Sequence, residues 1–200
     1  VLFRSAIDLI QQSIGISITP PVFENDLTGF FGVSTAPIIE EFGFRILLIG
    51  VPLFLFYSHK ASGRLFLKAL WSPAQNLPIT DSKKAIIIVV IVGIFFGAAH
   101  IMSDQWSNGK FAQAAMAGII IGWVYYRYGF AASLLIHWAT NYFVFAYAYM
   151  VSSINETKVA DSFSQSLIQT IEMILVVCGI LSIAVMILEY RKSRVKLENL

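Results

Sequence analysis

Long apolar runs separated by short polar islands dominate this chain. A helix needs about 20 mostly apolar residues to cross a hydrocarbon layer, and five runs approach or exceed that length: 30–57, 85–102, 111–126, 130–150 and 166–190. A polar, proline-containing connection, 58–84, follows the first run, whereas the YYRYG link between the third and fourth leaves room only for a tight turn. The pattern predicts an all-α fold, a polytopic transmembrane helix bundle with five visible spans. Residues 1–29 read as an interfacial helix or the end of a truncated one, because Arg4, Asp8, Gln11 and Gln12 make the opening too polar for a span. Residues 30–190 then form the membrane-embedded domain and 191–200 a basic tail. The opening VLFRSAIDLIQQS has neither the basic start nor the cleavage site of a signal peptide, so further helices are expected upstream.

Composition agrees with this pattern. Hydrophobic residues make up 57% of the chain and charged ones 13%, with a mean hydropathy of +0.72, which excludes an ordinary soluble domain. The net charge of +2 is spread over loops and not gathered into one stripe, so no nucleic-acid partner is expected. The single Cys178 cannot form an intramolecular disulfide and sits in an apolar run, where a packing role is expected.

Charge also orients the bundle. The 58–84 connection carries Lys60, Arg64, Lys68, Lys83 and Lys84, and the tail carries Arg191, Lys192, Arg194 and Lys196, whereas the intervening loops on the other side contribute only Lys110 and Lys158. Cytoplasmic loops are the basic ones, which puts the 58–84 connection, Arg127 and the C-terminus in the cytoplasm and the chain in a cell membrane. Gly93 with Gly97, and Gly118 with Gly122, each align two glycines on one helix face and mark places where helices approach closely.

Three of the runs contain polar groups that a hydrocarbon environment makes expensive. An ionisable side chain at mid-membrane costs roughly 2.5 to 3.5 kcal/mol on insertion scales, yet the first run holds Glu40, Glu41 and Arg45. Glu41 stands four residues before Arg45, in the favourable order for an ion pair on one helix face. A packing clamp would explain that pair, but it leaves the second carboxylate unused. The second run ends in FFGAAH, with Phe96 and His100 four apart, and the fourth contains HWATN, with His137 and Asn141 four apart. Glu40 is seventeen residues from the 57 end of its run and His100 fifteen from the 85 end of its own, so their depths match within a turn. His137, only seven residues beyond Phe130, requires a tilted or deeper-starting helix.

A carboxylate and an imidazole beside one water can take its proton, while a second imidazole and an amide can donate to the oxyanion formed when that water attacks a carbonyl. This set suits peptide hydrolysis. No GxSxG, HExxH or plausible cysteine nucleophile is present. Two histidines and a glutamate, Glu40, His100 and His137, are also a possible zinc-ligand set with an open fourth position.

In order, EEFGFR, FGAAH and HWATN fit the motifs EExxxR, FxxxH and HxxxN, and on this basis the chain resembles the CPBP (CAAX protease and bacteriocin-processing) family of intramembrane proteases, also called Abi or type II CAAX prenyl proteases, to which the Rce1 endopeptidases belong. The resemblance spans roughly half the chain, from Glu40 to Asn141. It implies that Glu40 and His100 activate the water, that His137 and Asn141 stabilise the oxyanion, and that Glu41, Arg45 and Phe96 support the site. It also implies an eight-helix fold of which the five runs are the last five. The preferred mechanism is glutamate-dependent with no required cofactor; the alternative is a metalloprotease holding Zn2+ on Glu40, His100 and His137. Substrates are expected to be peptides or proteins near the bilayer, with prenylation left open. The competing readings are a noncatalytic scaffold or bacteriocin immunity protein of the same family and a proton-relaying transporter, the last disfavoured by the lack of an internal repeat.

Overall fold

The computed structural model describes residues 25–59, 62–103 and 106–162 continuously, with single positions and short runs between 7 and 23 and between 170 and 188. Among the described residues every regular element is helical. In chain order the main ones are α1 (Asp26–Glu41), a π-helix (Phe42–Gly50), α2 (Val51–Tyr57), α3 (Gly63–Trp71), α4 (Pro73–Asn76), α5 (Ser82–Met102), α6 (Lys110–Tyr128) and α7 (Phe130–Asn155). The basic tail and about half of the run 166–190 lie outside the described residues, as do Arg4, Asp8 and Gln12.

The first run is one continuous helical path with a change of winding in the middle. Asn25 starts it, its side-chain oxygen accepting from the Leu27 and Thr28 N–H groups at 2.9 and 3.2 Å, as an N-cap does. Two prolines, Pro37 and Pro52, bracket the π-helical stretch. Each removes one N–H from the ladder and crowds the preceding turn, and the wider i→i+5 winding falls between them. The sequence pattern predicts a plain helix here, and the proline spacing is the physical reason it is not one.

The 58–84 connection is also more structured than its polarity predicts. α3 carries Arg64 and Lys68 on its exposed face and turns Ala69 and Leu70 inward, and these join Leu77 in the main core. The Tyr125 hydroxyl donates to the Leu70 carbonyl at 2.7 Å. At the same end the Tyr57 hydroxyl donates to the Asp81 carbonyl at 2.6 Å, and Ser82 and Tyr126 share a hydrogen bond at 3.2 Å. Gly129, at φ +96°, turns the chain from α6 into α7, and a Cβ there would stand 2.7 Å from the Trp71 carbonyl, so both the backbone conformation and the space demand glycine.

Among the described helices α5 alone, at mean hydropathy 2.7, is by itself long and apolar enough to cross a membrane. The other runs are diluted by the polar groups they carry, or are divided as the first is, so among the described residues one helix, and not the expected five, meets that measure. Burial nonetheless has the polarity of a membrane protein. Ile39, Leu55 and Phe143 are 76, 72 and 67% exposed, whereas Glu41, Arg45 and Ser133 are 0% exposed. A surface this rich in exposed large apolar side chains, over an interior that buries Glu41 and Arg45, is the reverse of a soluble fold.

α5 and α6 form the tightest pair. A Cβ on Gly97 would stand 2.7 Å from the Phe111 carbonyl, and one on Gly118 would stand 3.0 Å from the Gly93 carbonyl. Gly93, Gly97 and Gly118 therefore lie in a backbone-to-backbone seam, as their spacing predicts, whereas Gly122 faces the Ile49 and Val89 side chains. α1 packs along α7, and the π-helix lies against α5 and α6. The polar side chains of the first run are thereby turned toward α5 and α7.

Candidate functional site

Phe96 is the hinge of the polar interior. Its ring lies 4.6 Å from the ring of His100, 5.8 Å from that of His137 and 5.0 Å from the Arg45 guanidinium carbon. Phe44 closes the fourth side at 4.9 Å. The three motif-bearing helical runs thus meet around one aromatic side chain.

Glu41 and Arg45 pair as their spacing predicts, with Nη2 3.0 Å from Oε1 and both side chains fully buried. Among the described residues none of the guanidinium nitrogens has a well-angled hydrogen bond. The cation is therefore held by Coulomb attraction to Glu41 and by the face of Phe96. The same Glu41 oxygen is 2.9 Å from His137 Nδ1, a contact the sequence pattern does not anticipate. In neutral His137 the hydrogen on Nδ1 is donated to the carboxylate, which leaves Nε2 as the unprotonated nitrogen. That Nε2 faces Glu40, 3.6 Å from Oε2. Glu40 Oε2 is itself buried and has no hydrogen-bond partner among the described residues, although the Glu40 side chain is 28% exposed.

His100 is oriented from within its own helix. Its Nδ1 is 2.9 Å from the Phe96 carbonyl oxygen; a carbonyl only accepts, so Nδ1 carries the hydrogen and Nε2 is the basic nitrogen of the neutral ring. No hydrogen bond joins Glu40 to His100 among the described residues, but Glu40, His137 and Lys110 all lie within electrostatic range of the imidazole. Lys110 stands at the start of α6, its ammonium 4.1 Å from the Trp106 ring centroid and 2.6 Å from Gln113 Oε1, to which it donates.

Asn141 shows a role that proline chemistry explains. Pro37 has no N–H, so the Val33 carbonyl four residues earlier loses its α-helical donor. The Asn141 side-chain amide donates to that carbonyl at 3.3 Å. One of its two N–H groups is thus committed to α1, and the other is not used by this bond. Since Pro37 strands the Val33 oxygen in any helix, the need for a donor is legible in the sequence, though the donor's identity is not.

The structure brings Glu40, Glu41, Arg45, Phe96, His100 and His137 into one cluster, and places Asn141 one turn beyond His137 on α7, against Val33. His137 reaches the cluster although only seven residues separate it from the start of α7. Among the described residues no three His, Cys, Asp or Glu side chains converge closely enough to hold a metal ion. Both Nδ1 atoms are engaged, His137 with Glu41 and His100 with Phe96, so any ligand set would have to use the two Nε2 atoms and Glu40.

The family model for type II CAAX prenyl endopeptidase Rce1-like proteins matches residues 26–143. No curated protein and no solved structure matches the chain. The matched span runs from the start of α1 to two residues past Asn141 and so contains every side chain described above.

Proposed function

This chain belongs to the Rce1-like family of type II CAAX prenyl endopeptidases, a family of membrane proteases, and on that premise we propose that it is an intramembrane endopeptidase that cleaves peptide bonds with a water activated by Glu40 and His100. The observation that carries the reading is the set of contacts from three helices around Phe96, in which Glu41 orients His137 and the Phe96 carbonyl orients His100. Orientation of this kind is what a hydrolytic site requires before substrate arrives.

The steps follow from the atoms. Glu40, whose Oε2 accepts no hydrogen bond among the described residues, and the Nε2 of His100 flank the water and take its proton as the oxygen attacks the peptide carbonyl. The carbonyl π electrons move onto oxygen. Asn141 offers its second N–H to that oxyanion, and His137, held at Nδ1 by Glu41, stabilises it from the Nε2 side. The intermediate then collapses, the C–N bond breaks, and the proton taken from water passes to the departing amine. Glu41 and Arg45 touch no reacting atom; they position His137.

The preferred mechanism requires no metal. The Zn2+ alternative would place the ion on Glu40, His100 and His137, where it would polarise the carbonyl and the attacking water. The chain would sit in a cell membrane with Arg64, Lys68, Lys83, Lys84 and Arg127 on the cytoplasmic side, along with the C-terminus, and its partners would be peptide substrates and lipid. Cleavage of a reporter peptide by purified protein in detergent tests the reading, with Glu40→Ala and His100→Ala as controls. Activity that survives both changes would remove the proposed site.

A further inference from the structure

α3 is too short to cross a membrane, yet its outward face is not that of a helix in water. Its 9 residues, Gly63–Trp71, rise about 13 Å against a hydrocarbon thickness of about 30 Å. At about 100° per residue, Leu65, Phe66, Ala69 and Leu70 share one half of the helix. Ala69 and Leu70 are buried, and the Phe66 ring lies 5.0 Å from that of Phe54. The other half holds Leu67, Trp71, Arg64 and Lys68 in that order around the axis, all four exposed. The outward face is thus split lengthwise into an apolar strip and a cationic strip.

The α6–α7 turn continues both strips. The Trp71 carbonyl lies 2.7 Å from where a Cβ on Gly129 would stand, and the Trp71 and Phe130 rings are 5.7 Å apart, so the end of α3 rests on that turn. Trp123 and Tyr128 are exposed there with their rings 5.8 Å apart, and Arg127 is exposed as well. Lys83 and Lys84 start α5, which the Ser82–Tyr126 bond holds against the end of α6. Asp81 is the only acidic residue in 58–84 and 126–130, and its carboxylate is used to cap α5. Among the described residues none of Arg64, Lys68, Lys83, Lys84 and Arg127 forms an ion pair. The positive charge of this end is therefore left for something outside the chain.

Water does not account for the exposed Leu67 and Trp71, and hydrocarbon does not account for Arg64 and Lys68. The boundary between the two accounts for all four, since aliphatic and indole side chains enter the border of the acyl region while cations meet the headgroup phosphates. Arg64 can pair with a phosphate through two parallel N–H groups. We propose that the outward face of α3, with the Arg127 turn beside it, is a binding surface for anionic phospholipid headgroups. Charge complementarity selects that occupant, because uncompensated cations favour an anionic headgroup over a zwitterionic one. The surface shares no residue with the Glu40–His100 cluster, so it does not depend on the endopeptidase reading.

The test offers purified protein in detergent an equimolar mixture of phosphatidylglycerol and phosphatidylcholine with the same acyl chains, and native mass spectrometry counts the lipids retained. Preferential retention of phosphatidylglycerol is expected. Arg64→Gln/Lys68→Gln changes only exposed side chains and should melt at the temperature of the unsubstituted protein in lipid-free detergent. It is expected to weaken phosphatidylglycerol retention by on the order of 10-fold and to leave phosphatidylcholine retention as it was. Lys158→Gln, just past the end of α7, should retain both lipids like the unsubstituted protein. Equal retention of the two lipids by unsubstituted protein, or an undiminished preference in the double variant, overturns the proposal. An equal loss in Lys83→Gln/Lys84→Gln also overturns it, by assigning the effect to the overall charge of that end and not to α3. If phosphatidylglycerol is not preferred but a soluble polyglutamate peptide binds and is lost with Arg64 and Lys68, the face belongs to an acidic protein partner and the lipid assignment falls.

Discussion

The carboxylate of Glu41 and the imidazole of His137, on adjacent helices, meet at 2.9 Å in a buried layer, and the same carboxylate oxygen is 3.0 Å from Arg45. One acidic oxygen thus balances a buried cation and selects which nitrogen of a histidine faces Glu40. Removing one member of a buried pair leaves the other charge uncompensated, at about 3 to 5 kcal/mol. Arg45→Met is therefore expected to lower the thermal stability of the protein in detergent sharply, and Glu41→Gln to do the same from the other side. The double substitution should recover much of the loss, because it leaves no unpaired charge. Stability of Arg45→Met equal to that of the unsubstituted protein would show that the pair does not hold the fold.

Glu40 makes a different prediction, because among the described residues its Oε2 accepts no hydrogen bond and its side chain is part-exposed. Glu40→Gln should leave stability close to unchanged while lowering the cleavage rate by about 10²- to 10⁴-fold, the range of a lost general base. His100→Ala should fall in the same range. Because both act on one water, the double variant should be little slower than the worse single one. Rates that multiply in the double variant would mean the two side chains serve separate steps.

How far the site was legible follows from what each signal encodes. Spacing four apart on a helix placed Glu41 with Arg45, and Phe96 with His100, since helical geometry alone decides such neighbours. The glycine pairs forecast the α5–α6 seam for the same reason. Contacts between runs are another matter: nothing local tells that His137 turns Nδ1 to Glu41, or that Asn141 reaches Val33 across 108 positions. The winding change at Phe42–Gly50 and the inward face of α3 were missed because proline spacing and amphipathic patterning were outweighed by overall apolarity and polarity, respectively.

The α5–α6 seam is tested at Gly97. A Cβ there would meet the Phe111 carbonyl and the Ala115 side chain at 2.7 Å each, and because backbone cannot swing aside, the helices must part. Gly97→Ala is expected to destabilise by about 1 to 3 kcal/mol, as overpacking does, and to slow cleavage, since Phe96 is its neighbour. Gly32, whose Cβ would meet nothing within 4 Å, is the control. Gly32→Ala should be neutral or stabilising, by roughly 0.5 to 1 kcal/mol for a helix interior. Equal effects at both positions would remove close approach as the explanation.

The metal question has a direct measurement. Both Nδ1 atoms are occupied by fixed partners, and no three candidate ligands converge among the described residues. Exhaustive dialysis against a chelator is expected to leave peptide cleavage unchanged, with no gain on adding Zn2+. Activity that disappears with the chelator and returns with Zn2+ would instead assign Glu40, His100 and His137 as ligands.

Asn141 carries both a structural and a proposed catalytic role, and the proline that creates the first allows them to be separated. Asn141→Leu leaves the Val33 carbonyl without its donor, a loss of about 1 to 3 kcal/mol for a buried polar group. Pro37→Ala restores a backbone N–H four residues from that carbonyl, so the bond becomes available within α1 itself. Pro37 is fully buried, and truncating it opens a small void, but that cost is common to both arms of the cycle and cancels. The double variant Pro37→Ala/Asn141→Leu should therefore lose less stability relative to Pro37→Ala than Asn141→Leu loses relative to the starting protein. Cleavage should not recover with it: if the second N–H of Asn141 serves the oxyanion, the rate stays lower by about 10²- to 10³-fold. Recovery of rate together with stability would reduce Asn141 to a helix tie, and an unchanged stability difference would show that the 3.3 Å contact contributes nothing.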